Sequence, residues 1–479
     1  MGEVDKFMGK QGGAYLYEQL ASDLTEAIAQ GIYAVDERLP SLRRISEEYE
    51  VSMATAIQAY QSMETAGLIE SRPKSGYYVC AYTGEKLDEP VSSQPKPRAT
   101  KVNVGYLAMS LVNETRQSGL IKLGAAVPNA ELLPLGILSR TFAGVARRES
   151  KVASSYEEAQ GNKALRKQIS RLMRDCGVRC VADQIIITNG CLEALGLALR
   201  VTAKKGDTII IESPTYFGIL QVIESLGMKA LEIPTHAGSG VNLDVLEQTI
   251  LNRKIAACVL MPSFNNPLGS LMPDENKQRL VKLLEKKKIA LIEDDVYGTL
   301  SYETPRPKAA KSFDSRGNVL YCSSFSKTVA PGLRIGWIVA GRFHEQVKYQ
   351  KFLDNISTAI HPQLVMAEFL AKDSYRRCIR HSARIYRQRM DQLRRWVSEA
   401  FPEGTRITNP KGGFLLWVEL PEAYNSLALY EKAMAKKIAI TPGLLFSAQG
   451  QYQHHIRLSC GAVEGELARK SIYALAKLL

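Results

Sequence analysis

Seven short apolar runs constrain this chain more than any other feature: QIIIT at 184–188, TIIIE at 208–212, KALEIP at 229–234, AACVLMP at 256–262, IALIE at 289–293, VLYCSS at 319–324 and RIGWIVA at 334–340. They are continuous rather than alternating, and segments of helix length separate them. Strands buried on both faces read this way, so an α/β body is expected, its mostly parallel sheet covered by helices on both sides. The chain has 479 residues, whereas single cores stop growing near roughly 250–300 residues. At least one further domain is required.

In such sheets ligands bind beyond the carboxyl ends of the strands, and chemistry-bearing residues follow these runs closely. After QIIIT comes NGCLEALGLAL, a turn opening a helix, whose free backbone N–H groups at Gly190, Cys191 and Leu192 form an anion site. After TIIIE, Tyr216 offers an aromatic plate. After AACVLMP comes Asn266, and after IALIE come Asp294 and Tyr297. The stretch CSSFSKTVAPGLRIGW at 322–337 sets Lys327 among Ser324, Ser326 and Arg334. A lysine amine forms a Schiff base with an aldehyde, and hydroxyls with an arginine hold a phosphate monoester beside it. A carboxylate at Asp294 keeps a pyridine nitrogen protonated, so that the ring accepts electrons. Asn266 and Tyr297 suit a phenolic oxygen, and Tyr216 suits stacking on the ring. The cofactor this set describes is pyridoxal 5'-phosphate.

The constellation resembles the fold-type I aminotransferases over roughly 119–479, which implies a large and a small subdomain. The resemblance implies Lys327 of SFSK as the Schiff-base and catalytic lysine, Arg334 of GLRIG as the phosphate arginine, Asp294 of EDDVY as the pyridine partner and Asn266 of NNPLG at the ring. It further implies that Arg457 of HHIRLSC grips a substrate or effector carboxylate through its planar fork. Tyr156, in SSYEEAQGNKALR, matches the tyrosine that reaches the phosphate of a neighbouring subunit. Cys191 stands where relatives often carry serine.

The N-terminal segment has a different grammar. Leu16, Leu20, Leu24 and Ile28 recur every four residues, the period of one helix face, with Gly31 as its stop. A second helix is expected after Pro40 with Leu42, Ile45 and Tyr49 inward, and a third after a Ser52 cap with Ile57, Tyr60 and Met63 inward, closed by Gly67. LIESRPKSGYYV then reads as a hairpin of wing type. Two short helices around a tight turn followed by a wing form a winged helix-turn-helix, in which Arg43, Arg44 and Lys74 meet phosphates while Ser52, Met53 and Thr55 face the major groove. The segment 13–80 is similar to the winged helix of GntR-type bacterial repressors. That family often carries basic residues on the recognition helix where this chain has Met53 and Ile57, which points to apolar contact with thymine methyls.

The expected organisation is a DNA-binding domain over 1–80, a polar, proline-bearing tether over 81–118 that leaves the two domains hinged, and a cofactor body over 119–479. Through residue 80 there are seven Lys and Arg against twelve Asp and Glu, a net of −5, which leaves +18 of the chain's +13 total for the remainder. The KKK run at 286–288 and the arginines between 376 and 395 read first as solvated helix faces. Eight cysteines without a CxxC indicate neither a zinc site nor a disulfide framework, and no metal ligand set is expected. The absence of a signal-type or membrane-spanning run makes the bacterial cytoplasm the expected location. A winged helix joined in this order to an aminotransferase body resembles the MocR subfamily of GntR-type regulators. The resemblance implies a homodimer, head to tail, that binds double-stranded operator DNA and senses the cofactor or a small amino compound. The alternative is a working aminotransferase with an accessory head, since every residue needed for weak transamination is present.

Overall fold

The computed structural model describes residues 10–11, 14–29, 32–33, 37–65, 67–72, 75–80, 87–114, 117–372 and 374–479. They fall into two compact units, Met1–Lys86 with Asp391–Glu399, and Leu87–Met390 with Ala400–Leu479.

The first unit holds α1 (Leu16–Ala29), α2 (Leu42–Glu48), α3 (Met53–Thr65) and a hairpin of β1 (Ile69–Arg72) and β2 (Gly76–Val79), antiparallel with Ile69 opposite Val79. Helix α2 begins one residue later than Pro40 suggests: Ser41 is its cap, its hydroxyl accepting from the Arg44 N–H at 3.3 Å. Ser52 caps the next helix in the same way, accepting from Thr55 N–H at 3.1 Å, and Gly67 ends it in the left-handed region at φ 72°. The core is Leu20, Leu24, Leu39, Ile45, Ala56, Ala59, Tyr60, Met63, Ile69 and Val79. Three residues expected inside are instead exposed, Leu16, Tyr49 and Ile57. A spacing of four advances about 40° per step around a helix and a spacing of three falls back about 60°, so neither stripe stays inward over its length. Ala56 and Ala59 take the place of Ile57, and Tyr49 is the C-cap of α2. Gly31 and Lys74 lie outside the described residues.

In the second unit the segment expected as a slack tether is bound from Asp88 onward. Pro90 and Pro95 are buried, Val91 N–H donates to Glu419, and the Ser93 hydroxyl takes part in a 2.7 Å bond from Tyr452. Proline costs little conformational entropy to fix, so a proline-bearing strip lies down on a surface readily. It ends in β3 (Thr100–Lys101), an edge strand, and α4 (Gly105–Glu114).

The main sheet contains β4 (Ile185–Thr188), β5 (Thr208–Ser213), β6 (Lys229–His236), β7 (Ala257–Leu260), β8 (Ala290–Asp294), β9 (Val319–Ser324) and β10 (Gly336–Val339), with α5 (Cys191–Thr202) following β4. The strand order is β3-β6-β5-β7-β8-β9-β10-β4, and a ninth short strand, Gly240–Val241, pairs with β6. From β6 to β9 neighbours are parallel, whereas β10 runs antiparallel to both β9 and β4. Every residue of β4, β7, β8, β9 and β10 is buried, as their unbroken apolar runs require. The long helix α6 (Ser374–Ala400) leads to a second sheet of β11 (Arg406–Ile407), β12 (Leu415–Glu419), β13 (Thr441–Pro442) and β14 (His455–Ser459), ordered β11-β12-β14-β13. The final turns of α6 belong to the first unit, where Arg395 donates to the Gly67 carbonyl at 2.6 Å. Among the described residues no helix is long and apolar enough to cross a membrane.

Candidate functional site

A cavity of about 360 Å³ lies at the carboxyl ends of β5, β7, β8 and β9 and reaches β14. It is lined by Cys191, Leu192, Tyr216, Asn266, Asp294, Tyr297, Ser324, Ser326, Lys327, Arg334 and Arg457. Eleven positions singled out from sequence therefore converge on one space, although they span 267 residues of chain.

Strand alternation explains which acid of EDD serves the cavity. Successive side chains of a strand point to opposite faces, so Glu293 and Asp295 turn away: Glu293 accepts from the Ala310 and Lys311 N–H groups, and Asp295 holds Arg306 and the Tyr321 hydroxyl. Asp294 faces the cavity, 2% exposed, with Cys191 Sγ 3.5 Å from its Oδ1. Burial raises its pKa to about 7. A buried carboxyl in that state is stabilised by an opposite charge brought to it.

Lys327 is pushed the other way. Burial first, then the neighbouring Arg457, lowers its pKa to about 8, and its Nζ donates to the Ala126 carbonyl at 2.7 Å. Arg334 adopts a left-handed backbone at φ 55°, a conformation non-glycine residues hold where the surroundings impose it. Its Nη2 donates to the Asn189 carbonyl at 2.9 Å, and its Nη1 lies 3.4 Å from Ser326 Oγ. Gly190, at φ 83°, is the N-cap of α5. A β-carbon there would run into the Arg334 guanidinium, and one at Gly336 would lie 2.5 Å from the Gly190 carbonyl carbon. These two glycines open a notch at a helix N-terminus beside a cation, suited to a phosphate.

Arg457 is 3% exposed on β14. Its Nη1 donates to Asn266 Oδ1 at 2.9 Å and its Nη2 to the Gly124 carbonyl at 2.7 Å, while its Nε is buried with no partner. The Tyr297 hydroxyl is likewise buried and unpartnered. Two orphaned donors at one cavity, with a near-neutral Asp294, a lysine of lowered pKa and a glycine-lined notch, fit a phosphorylated pyridine aldehyde.

Tyr156 is 82% exposed and outside this cavity. Sequence reading missed the rest of the lining, including Leu111, Val127, Phe217, Met261, Ile440 and Leu445, and the carbonyls of Gly124 and Ala126. Apolar side chains and backbone oxygens carry no signature; Thr441, 3.3 Å from Arg457 Nη2, also lacked one.

In the first unit Arg43 and Arg44 are exposed on α2, and each reaches a carboxylate one turn on, Glu47 at 3.3 Å and Glu48 at 2.7 Å. At the start of α3, Met53 is 43% exposed, and the Ser52 and Thr55 hydroxyls sit 2.8 Å apart.

Residues 16–79 match the bacterial regulatory proteins of the gntR family, and 136–471 match aminotransferase class I and II. The chain is 37% identical to the uncharacterized HTH-type transcriptional regulator YjiR of Escherichia coli K12, over 95% of this chain and 97% of the relative. It is 34% identical to YdcR of the same organism, also described as an uncharacterized HTH-type transcriptional regulator, over 97% and 98% of the two chains. Among solved structures, it is similar to LysN, the α-aminoadipate aminotransferase of Thermus thermophilus, complexed with N-(5'-phosphopyridoxyl)-L-leucine. That match has a TM-score of 0.71 and 26% identity, over 77% of this chain and 96% of the other.

Proposed function

Since the chain belongs to the GntR-type regulators of the MocR subfamily, with a winged helix-turn-helix and a class I and II aminotransferase body, we propose that it is a pyridoxal-phosphate-dependent transcription factor. Its body senses the cofactor together with an amino compound. The observation that carries this reading is the convergence of Lys327, Asp294, Arg334 and Arg457 on one cavity in a chain that also builds a capped recognition helix and a wing.

When bound, pyridoxal phosphate supplies an aldehyde and an electron-accepting ring. The protein does the rest. Lys327 offers an amine whose lowered pKa leaves more of it neutral at physiological pH. Asp294 would balance the ring charge, Tyr216 would pack on the ring, and the Tyr297 hydroxyl and Asn266 would donate to its oxygen. The N–H groups of Gly190, Cys191 and Leu192, with Ser324, Ser326 and Arg334, would hold the phosphate. Arg457 takes the effector's carboxylate. The remaining lining is mostly apolar, and among the described residues no fifth charged side chain faces the cavity, so the effector is an amino acid with an uncharged, largely apolar side chain.

We read residues 1–80 as the DNA-binding head, 81–118 as the connection and 119–479 as the body of a cytoplasmic homodimer, arranged head to tail. The exposed Tyr349, Phe352 and Leu353, at helical spacing on His344–Asn355, support a partner subunit, because apolar exposure grouped on one helix in this way marks a contact surface, and Tyr156 is exposed as well. The test is a mobility shift on the DNA upstream of the protein's own coding region, with and without pyridoxal phosphate and a panel of amino acids. A shift that responds to cofactor and to an apolar amino acid is expected. A chain that transaminates rapidly and retards no DNA would be an enzyme with an accessory head.

A further inference from the structure

The head is poorly supplied with charge for a DNA-binding domain. Residues 1–80 sum to −5, Arg43 and Arg44 reach Glu47 and Glu48, and Arg72 reaches Glu70 at 2.8 Å. Non-specific affinity for duplex DNA comes almost entirely from cations that displace counterions from phosphates. Cations from elsewhere in the chain would add to what the head supplies.

Helix α6 carries them. Between Ser374 and Met390 it has six arginines and a histidine and not one acid. Two are occupied, Arg376 by Asp175 at 3.0 Å and Arg389 by Glu464. The other four, Arg377, Arg380, Arg384 and Arg387, are exposed and have no ion-pair or hydrogen-bond partner among the described residues. At about 100° per residue they fall within an arc of about 80°, and at 1.5 Å per residue they extend about 15 Å. That row is long enough to lie along about five successive phosphates of one strand, spaced about 3.4 Å along the duplex axis.

Helix stability does not account for the row. Arg377 lies in the first turn, where the helix dipole disfavours a cation, and Arg380 and Arg384 are like charges one turn apart. The other basic run behaves in the opposite way: Lys286 and Lys287 close the last turn of the helix Asp274–Lys287, where the dipole favours them. We propose that the arginine face of α6 is a second DNA-binding surface, on the aminotransferase-like body, that holds the phosphate backbone of duplex beyond the segment read by the head. This rests on the reading of the head as DNA-binding.

The test uses the full chain, loaded with pyridoxal phosphate, and a fluorescent duplex of random sequence, about four helical turns long, titrated at several salt concentrations. Replacing Arg377, Arg380, Arg384 and Arg387 by Gln should flatten the slope of log K against log salt by up to about 3.6 units, at roughly 0.9 per phosphate contact. A control with Lys282, Lys286, Lys287 and Lys288 replaced by Gln removes the same charge from another exposed surface and should change the slope by less than one. Equal losses in both variants, or no loss in the arginine variant, overturn the proposal. If the natural chain fails to bind duplex at all, the DNA-binding reading itself falls. The visible absorption of bound cofactor reports that the body is folded. Should the fourfold variant lose it, Arg380→Gln with Arg384→Gln is measured instead, with about half the slope change expected.

Discussion

Arg457 Nη1 donates to Asn266 Oδ1 at 2.9 Å, which ties the arginine proposed for the effector's carboxylate to the asparagine proposed for the cofactor ring. Arg457→Lys keeps a cation but loses the planar fork that a carboxylate engages through two bonds. We expect amino-acid binding to the holoprotein to weaken by about 2 kcal/mol, some thirtyfold, the range of a charged hydrogen bond. Cofactor affinity should change by less than about threefold, because the phosphate, ring and aldehyde contacts lie on other residues. Isothermal titration with leucine, beside an absorption titration with cofactor, separates the two. Equal losses in both would place Arg457 in the cofactor's own site.

Capture of the cofactor should follow the neutral form of Lys327. With its pKa lowered from 10.5 to about 8 by burial and by Arg457, about one amine in ten is neutral at pH 7, against about one in three thousand for an ordinary lysine. The protonated amine cannot attack an aldehyde. The second-order rate of colour development on mixing apoprotein with pyridoxal phosphate should therefore climb with pH up to about 8 and level off above it. A rate still climbing tenfold per unit near pH 10 would mean that the lysine is not buried as described.

A thiol where a hydroxyl is common leaves Asp294 with a weak donor, Cys191 Sγ at 3.5 Å. Asp294 must be an anion to pair with a protonated ring, and its pKa of about 7 means that cofactor affinity falls as pH drops through that value. Hydrogen bonds to the charged form of a carboxyl lower its pKa. Cys191→Ser should move the midpoint of this loss to lower pH by roughly one unit, about 1.4 kcal/mol, and Cys191→Ala should move it upward. Dissociation constants from absorption titrations between pH 5.5 and 8.5 decide, and identical midpoints in all three proteins would show the thiol to be inert.

The sites that sequence disclosed are those where a rare chemical type follows a strand: Lys327, Asp294 and Arg334 could be found because strand ends are identifiable and few residue types hold an aldehyde, a pyridinium or a phosphate. The acceptors of Lys327 and Arg457 could not, since Ala126 and Gly124 contribute carbonyls that any residue possesses, 201 and 333 positions away in the chain. Periodicity located the helices of the head but misjudged Leu16, Tyr49 and Ile57, because apolar stripes drift around a helix and the cap residues leave it. Polar composition suggested a tether from residue 81, yet Pro90 and Pro95 are buried. Composition reports solubility of a segment, not whether a neighbouring surface has a groove for it. The docking of Arg395 on Gly67 joins residues 328 apart and left no local trace.

Glu47 and Glu48 on α2 engage the two arginines that the DNA-binding reading assigns to phosphates. Glu47 and Glu48 lie at the carboxyl end of the helix, where the dipole disfavours negative charge, and both pairs with Arg43 and Arg44 are solvent-exposed, so they add little to folding. Glu48→Gln should accordingly leave the thermal midpoint within about 2 °C, well inside the several degrees that one kcal/mol shifts a small domain. It should free Arg44 for a phosphate, tighten duplex binding and steepen the salt dependence by about one unit of slope. Arg44→Gln added to Glu48→Gln should cancel that steepening, whereas an effect arising only from reduced repulsion would persist in the double variant. Salt titrations of both proteins on one duplex distinguish a released arginine from a diffuse change in charge.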